Sequence, residues 1–269
     1  MRSRSAFLTI NLALLAAMVA VSLSVGASQI DGLLSALLNP GADTSAAQIL
    51  WQIRIPRIFT ALIVGAALGV AGALAQGATN NPLAEPAILG TSAGAALAVV
   101  IGVLANIVVI GSVGAMAIAA IGALLATLLT LRFATLERSV SPLNLVIIGL
   151  SLSATISAVV GLLTTAISRS DARSISFWSF GSLALTNSSD LIPLLVFTIV
   201  GIAIAIFVAP KLDLLSLGDT TARHLGIDPR QVRRIALIAL AILIGAAVST
   251  VGTISFLGLA APHIARLIG

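Results

Sequence analysis

Residues 90–94 read GTSAG, the G-x-S-x-G spacing that in some hydrolases lifts a nucleophilic serine onto a strained turn between strand and helix. Here the tract opens a run rich in Gly and Ala. The only two histidines, His224 and His263, fall in or near segments assigned below to the cytoplasmic side. No acid–His pair offers itself to Ser92. Two isolated histidines also fall short of the three or four clustered ligands that zinc takes. With no cysteine there is no thiolate metal site, disulfide or thiol nucleophile. A P-loop needs a lysine followed by Ser or Thr after a Gly-rich turn, and the single lysine, Lys211, is followed by Leu212. No cofactor or metal is expected, and any work drawn from ATP must be done by a partner. Ion-coupled transport uses ionisable groups inside the membrane. The nine acids, Asp31, Asp43, Glu85, Glu137, Asp171, Asp190, Asp213, Asp219 and Asp228, are all expected in loops or at span ends. That weakens ion coupling without removing it, because broken helices and backbone carbonyls can also bind ions.

The elements that must carry these residues are apolar. Of 269 residues, 59% are hydrophobic and 9% charged, with a mean hydropathy of +1.17, far too little polar surface for a soluble domain. A helix needs about 20 apolar residues to cross the hydrocarbon. Spans are expected near 6–27, 58–77, 88–110, 112–133, 142–167, 191–209 and 234–252, with a shorter one near 254–268 and tight links at Gly111 and Gly252. The runs are continuous rather than alternating, so the fold class is all-α, a polytopic membrane helix bundle of about eight spans. The first apolar stretch exceeds a signal-peptide core and reads as a retained helix. With the N-terminus cytoplasmic, Arg2, Arg4, Arg132, Arg138, Lys211, Arg223, Arg230, Arg233, Arg234 and Arg266 lie inside, and Arg54, Arg57, Arg169 and Arg173 outside. That division satisfies the positive-inside rule. Trp51 and Trp178 both fall near outer span ends, where tryptophan often anchors.

Three stretches carry further expectations. Gly65, Gly69, Ala73 and Gly77 form a stripe at four-residue spacing, which lets another helix approach closely. The inner segment 210–234 offers a short apolar helix in KLDLLSL, a break at Gly218, an N-cap at Asp219 and a left-handed stop at Gly226. Asp228 caps the next span, with Pro229 at its first position. Two short helices held stiffly outside the membrane read either as a docking surface or as an ordinary capped loop. Outside, WQIRIPRIF (51–59) places Arg54 and Arg57 around Pro56. The pair either snorkels to the interface or grips carboxylates through its planar forks.

The long stretch RIPRIFTALIVGAALGVAGALAQGATNNPLAEPAILGTSAGA, then LLSLGDTTARHLGI, then GTISFLGLAAPHIARLIG, resembles in order the signature blocks of the FecCD-type permeases. These are the membrane subunits of type II ABC importers for iron–siderophore complexes, haem and cobalamin. The resemblance implies a single transmembrane permease domain over 1–269, in a bacterial cytoplasmic membrane and among its lipids, working as a pair with a second copy or a paralogue. It also implies two ATPase subunits inside and a periplasmic or lipid-anchored binding protein outside, with no nucleic acid. Family members have roughly ten spans, so a chain ending at Gly269 is expected to lack the last two.

By the same resemblance, residues 213–226 are coupling helices: Leu214, Leu215, Leu217 and Leu225 seat in an ATPase groove, with Gly218, Asp219, Thr221, Ala222, Arg223 and Gly226 in the same segment. Asp219 and Arg223 pair with each other or with the partner. Residues 80–86 (NNPLAEP) form a stiffened cytoplasmic turn. SISFWSFGSLAL (174–185) is similar to the family's short re-entrant helix, whose Phe177, Trp178 and Phe180 shape an outer gate or anchor at the interface. Arg54 and Arg57 receive acidic residues of the binding protein. Iron(III)-siderophore is the expected substrate, with haem or cobalamin as alternatives. An ion-coupled secondary transporter and a non-transporting membrane scaffold are the competing classes.

Overall fold

The computed structural model describes residues 4–26, 30, 32–109, 112–134, 142–166 and 168–268. Arg2, Asp31, Gly111, Glu137, Arg138 and Gly269, used in the charge, loop and length arguments above, lie outside them. Among the described residues every regular element is helical. The order is α1 (Arg4–Ser24), the short α2 (Leu33–Leu38) and α3 (Ser45–Gln48), then a π-helical turn at Ile49–Arg54 that runs directly into α4 (Ile55–Thr79). There follow α5 (Thr91–Leu104), α6 (Val113–Ala134), α7 (Pro142–Thr164), α8 (Arg169–Ser179) and α9 (Leu191–Leu215). The series closes with α10 (Asp219–His224), α11 (Pro229–Val251) and α12 (Leu257–Ile268).

The all-α bundle expected from the sequence is present, with fewer full spans. Among the described residues six helices are long and apolar enough to cross a membrane, while Thr91–Leu104 and Leu257–Ile268 are shorter apolar helices. The expected spans 88–110 and 254–268 are therefore half-length, α5 having 14 residues and α12 having 12. The cause is local. Pro86 opens a 3-10 turn that ends at Gly90 (φ 84°), so α5 cannot start before Thr91. Phe256 takes a left-handed φ of 74°, which breaks the chain ahead of α12. In lipid such breaks persist only where protein supplies partners for the freed backbone groups.

Buried α11 is the axis of the bundle. Its residues from Val232 to Val251 are almost all enclosed, with α4, α6 and α9 packed around it. Its start matches the sequence reading: Asp228 accepts the N–H of Arg230 at 3.0 Å and Pro229 is the first helical residue. Small residues set the spacing elsewhere. α5 crosses α6 at Gly94 and Gly122, where a Cβ on either would overlap the other's backbone carbonyl. The same helices are stitched by Thr91 and Thr127 (Oγ1 to Oγ1, 3.0 Å) and by Thr130 donating to the Leu89 carbonyl at 2.9 Å. Interhelical bonds of this kind contribute about 0.6 kcal/mol each. At the edge of the bundle, α1 leaves Leu8, Leu12 and Met18 exposed, as a helix facing lipid should.

The inner segment departs from expectation. No separate helix forms at KLDLLSL; α9 continues through Pro210 to Leu215. Proline removes one ladder bond, yet α9 runs through it and packs against α4 beyond it. A methyl on Gly77 would stand 2.6 Å from Leu212 Cδ2. Only α10 is a free-standing short helix.

Candidate functional site

On the inner side, α10 is joined to the bundle through two left-handed residues, Gly218 (φ 95°) and Gly226 (φ 78°). The second is the stop read from the sequence. The N-cap of α10 is Gly218, and Asp219 is its first helical residue. The expected Asp219 cap is absent because the carboxylate is drawn elsewhere, to Arg233. Arg233 Nη1 donates to Asp219 Oδ2 at 2.8 Å and Nη2 to Oδ1 at 2.6 Å. Within the chain the bonded partner is thus Arg233 rather than the expected Arg223, which is exposed, and the Asp219 side chain stays one-third exposed. The Arg233 hydrogen bonds hold the Asp219 carboxyl below its ordinary value of 3.8; partial burial opposes this, and the charges of Arg233 and Arg223 add to it.

The expected apolar docking side is also redistributed. Leu215 and Ala222 are fully buried, Leu214 is half-buried, and only Leu217 (59% exposed) and Leu225 (56%) present apolar surface. Thr221 and Arg223 face out beside them. Helical geometry explains the split, since Leu215 closes the last turn of α9 against the core while Leu217 lies beyond it.

Above α10, the inner end of α4 gathers several contacts. Arg233 Nε donates to the Ala78 carbonyl at 3.0 Å, and Asn80 Nδ2 to the Leu215 carbonyl at 3.2 Å. Gln76, 4% exposed, donates to the Leu259 carbonyl of α12 at 3.2 Å and accepts a bond from Arg266. Of these, Gln76, Asn80 and Arg266 border a cleft of about 520 Å³ that opens between α4 and α9 and includes Ala73 and Asp213 in its wall.

Glu85 corrects the sequence reading of the acids. Its carboxylate accepts the N–H of Phe256 at 2.7 Å, and the following Pro86 packs on Gly258. Gly258 in turn lies against Gly72 and the Leu68 carbonyl, in the middle of α4. Glu85 shares a small cavity with Leu68, Ile244 and Val248, none of them at an inner helix end. It therefore stands at mid-bundle depth, beyond the cytoplasmic turn assigned to NNPLAEP. The signal missed was Pro86 followed by Gly90, which marks a chain entering the bundle before its helix begins.

On the outer side the two arginines part company. Arg54 is 8% exposed and donates to the Leu23 carbonyl at 2.5 Å, closing the end of α1. Arg57 is half-exposed and donates to the Ala184 carbonyl at 3.0 Å, with its Nε unpaired among the described residues. The aromatic trio divides likewise. Phe177 (65% exposed), in the last turn of α8, and Phe180 (82%), just beyond its end, are outward, while Trp178 (5%) is turned into the core. Trp51, the other expected anchor, is partly exposed and donates its indole N–H to the Ala36 carbonyl at 3.0 Å.

The stripe on α4 is only partly used. Gly77 meets Leu212 and Gly69 comes near Ala261, but a Cβ on Gly65 meets open space and Ala73 is exposed. The close approach falls instead at Gly72, where a Cβ would overlap the Gly258 carbonyl oxygen.

Comparison with known proteins agrees with this architecture. The chain is 34% identical over 257 residues to the hemin transport system permease protein HmuU of Yersinia pestis, covering 92% of this chain and 75% of that one. It is 35% identical over 257 residues to the iron(3+)-hydroxamate import system permease protein FhuB of Bacillus subtilis, covering 92% of this chain but only 65% of that one. In three dimensions it is similar to a solved ABC transporter assigned to the metal-chelate type, in an inward-facing conformation. The TM-score is 0.76 at 30% identity, over 96% of this chain and 80% of that one. The description of the FecCD transport family matches residues 13–269. With helices, inner segment and signature tracts all in that register, the chain belongs to the FecCD transport family.

Proposed function

We propose that this chain is the membrane permease of an ATP-driven importer, and that it passes an iron(III)-siderophore complex inward by alternating access. The supporting observation is α10: a short helix on the inner face, flanked by exposed Leu217 and Leu225 and pinned by a buried arginine. That is the shape of a surface against which a separate ATPase can push, and this chain has no P-loop of its own. Two such ATPase subunits, a second permease copy or paralogue and a solute-binding protein complete the assembly, in a bacterial cytoplasmic membrane. The chain acts in it as one transmembrane domain with 210–234 as the coupling segment. Relatives that carry hemin and ferric hydroxamate support an iron complex as cargo, with haem and cobalamin as the alternatives.

Outside, Arg57 is the residue offered to an acidic lobe of the binding protein, and Arg54 supports it by fixing α1 against the π-helical turn. Phe177 and Phe180, without Trp178, border the outer mouth.

A second reading has one observation in its favour. Glu85 at mid-bundle depth, beside the starts of two half-length helices, resembles the broken-helix ion sites of secondary transporters. Its carboxylate, however, is already engaged by Phe256.

The test is assembly. Co-expression with the ATPase and binding protein of the same system should yield a complex whose ATPase is stimulated by loaded binding protein. Leu217→Asp should abolish that stimulation while the chain remains in the membrane. Unaltered stimulation in Leu217→Asp would remove α10 from the coupling role.

A further inference from the structure

Arg233 is the largest fully buried side chain, 2% exposed. Burying a guanidinium costs several kcal/mol unless its donors are met. Among the described residues its donors reach two segments: Nη1 and Nη2 the Asp219 carboxylate, and Nε the Ala78 carbonyl. Each acceptor is electrostatically apt. Ala78 lies in the last turn of α4, where carbonyls carry the negative end of the helix dipole, and Asp219 lies in the first turn of α10, where an acid belongs. A side chain on the first turns of α11 thus bridges the end of one helix and the start of another.

The main-chain connections of α10 are soft by comparison. Gly218 and Gly226 flank it in left-handed conformations, and a Cβ at either would meet open space. The backbone link from α9 to α10 thus runs through a glycine on which no side chain packs. The fork of Arg233 is planar and its three bonds fix its orientation. From Ala78 the path continues up α4 to Gln76, which holds α12 through Leu259 and Arg266 at the edge of the inner cleft.

We infer that Arg233 is a positioning residue for transport: a rigid strut that carries the displacement of α10 to the inner end of α4, and so to α12 and the cleft. The driven helix is α4, and α9, although continuous in sequence with α10, follows. This rests on the importer reading above.

The experiment uses the complete importer in vesicles. Because the chain has no cysteine, Ala73→Cys gives it a unique reporter in the cleft wall. In the wild-type background, ATP should change the rate at which a maleimide modifies Cys introduced at that position, and uptake should accompany hydrolysis. Arg233→Met and Arg233→Lys should lower uptake per ATP hydrolysed about tenfold and abolish the ATP-dependent change in labelling. Asp219→Asn, at a side chain one-third exposed, should do the same if Arg233→Met fails to assemble. A structural role alone would lower yield or melting temperature and leave uptake per ATP and labelling untouched. If uptake per ATP and the labelling response survive in Asp219→Asn and Arg233→Lys, the strut is refuted. If the wild-type importer shows no ATP-driven uptake, the failure lies in the importer reading.

Discussion

The carboxylate of Glu85 accepts the backbone N–H of Phe256 at 2.7 Å, across 171 positions of sequence. The bond places an acid at the N-terminal end of α12, where the helix dipole favours negative charge. It also gives a partner to one of the N–H groups that the start of α12 leaves outside the helix ladder. Phe256 needs that support, since a non-glycine residue in the left-handed region is strained. Two half-length helices are thereby joined where neither could end alone. Replacing Glu85 with leucine should cost about 1–3 kcal/mol, whereas glutamine, which keeps an acceptor oxygen, should cost less. Thermal melting of the detergent-solubilised chain reads the difference. Equal losses in both variants would mean that the carbonyl-type acceptor contributes nothing.

Gly72 and Gly65, about two turns apart on α4, differ in what stands against them. A Cβ at Gly72 would overlap the Gly258 carbonyl oxygen, a backbone atom that cannot rotate away, while one at Gly65 meets nothing. Gly72→Ala should destabilise by at least about 2 kcal/mol and lower the recovery of monodisperse protein. Gly65→Ala should be silent in the isolated chain. Gel filtration of the two variants side by side checks both statements.

Arg54 and Arg57 should separate experimentally. Arg54→Gln should lower the melting temperature, because the Leu23 carbonyl and a buried site lose their partner, and should leave binding-protein affinity unchanged. Arg57→Glu should do the reverse, weakening association about tenfold at low salt and less at high salt. Binding-protein titrations at two ionic strengths decide it.

The Asp219–Arg233 pair has a defined pH window. Its carboxyl is lowered in the folded chain by the Arg233 bonds. The stabilisation is thus fully present above the ordinary aspartate value of 3.8 and is lost only as the pH falls through the lower folded value. The pair's contribution to melting temperature should be complete and independent of pH between about pH 5 and 8, with an acid-side decline that Asp219→Asn removes. A decline already complete near neutrality would contradict the pairing.

Much of this architecture is legible in the sequence, for identifiable reasons. Apolar runs locate all eight helical regions, because lipid requires both the apolar surface and the helix. Asp228, Pro229 and Gly226 announce their roles because caps and left-handed stops are local. Run length does not reveal where a backbone breaks inside an apolar run. So α5 is shorter than the apolar run 88–110, while the short α12 falls within 254–268 as expected, and Glu85 stands deeper than a loop. Partners distant in sequence were equally hidden. Arg233 looked like one more inner charge, and its acceptors lie 14 residues back at Asp219 and 155 back at Ala78. The division of Phe177 from Trp178 was available from helical period alone. That of Arg54 from Arg57 was not, since it depends on where α1 comes to rest.

The central claim, ATP-driven import, is tested most directly by uptake of a radiolabelled ferric siderophore. The vesicles would contain this chain with its ATPase and loaded binding protein, with ionophores collapsing the proton and sodium gradients. The account predicts accumulation that requires ATP, stops with a hydrolysis-deficient ATPase and persists under the ionophores. Accumulation without ATP that the ionophores abolish would contradict it and turn attention to Glu85.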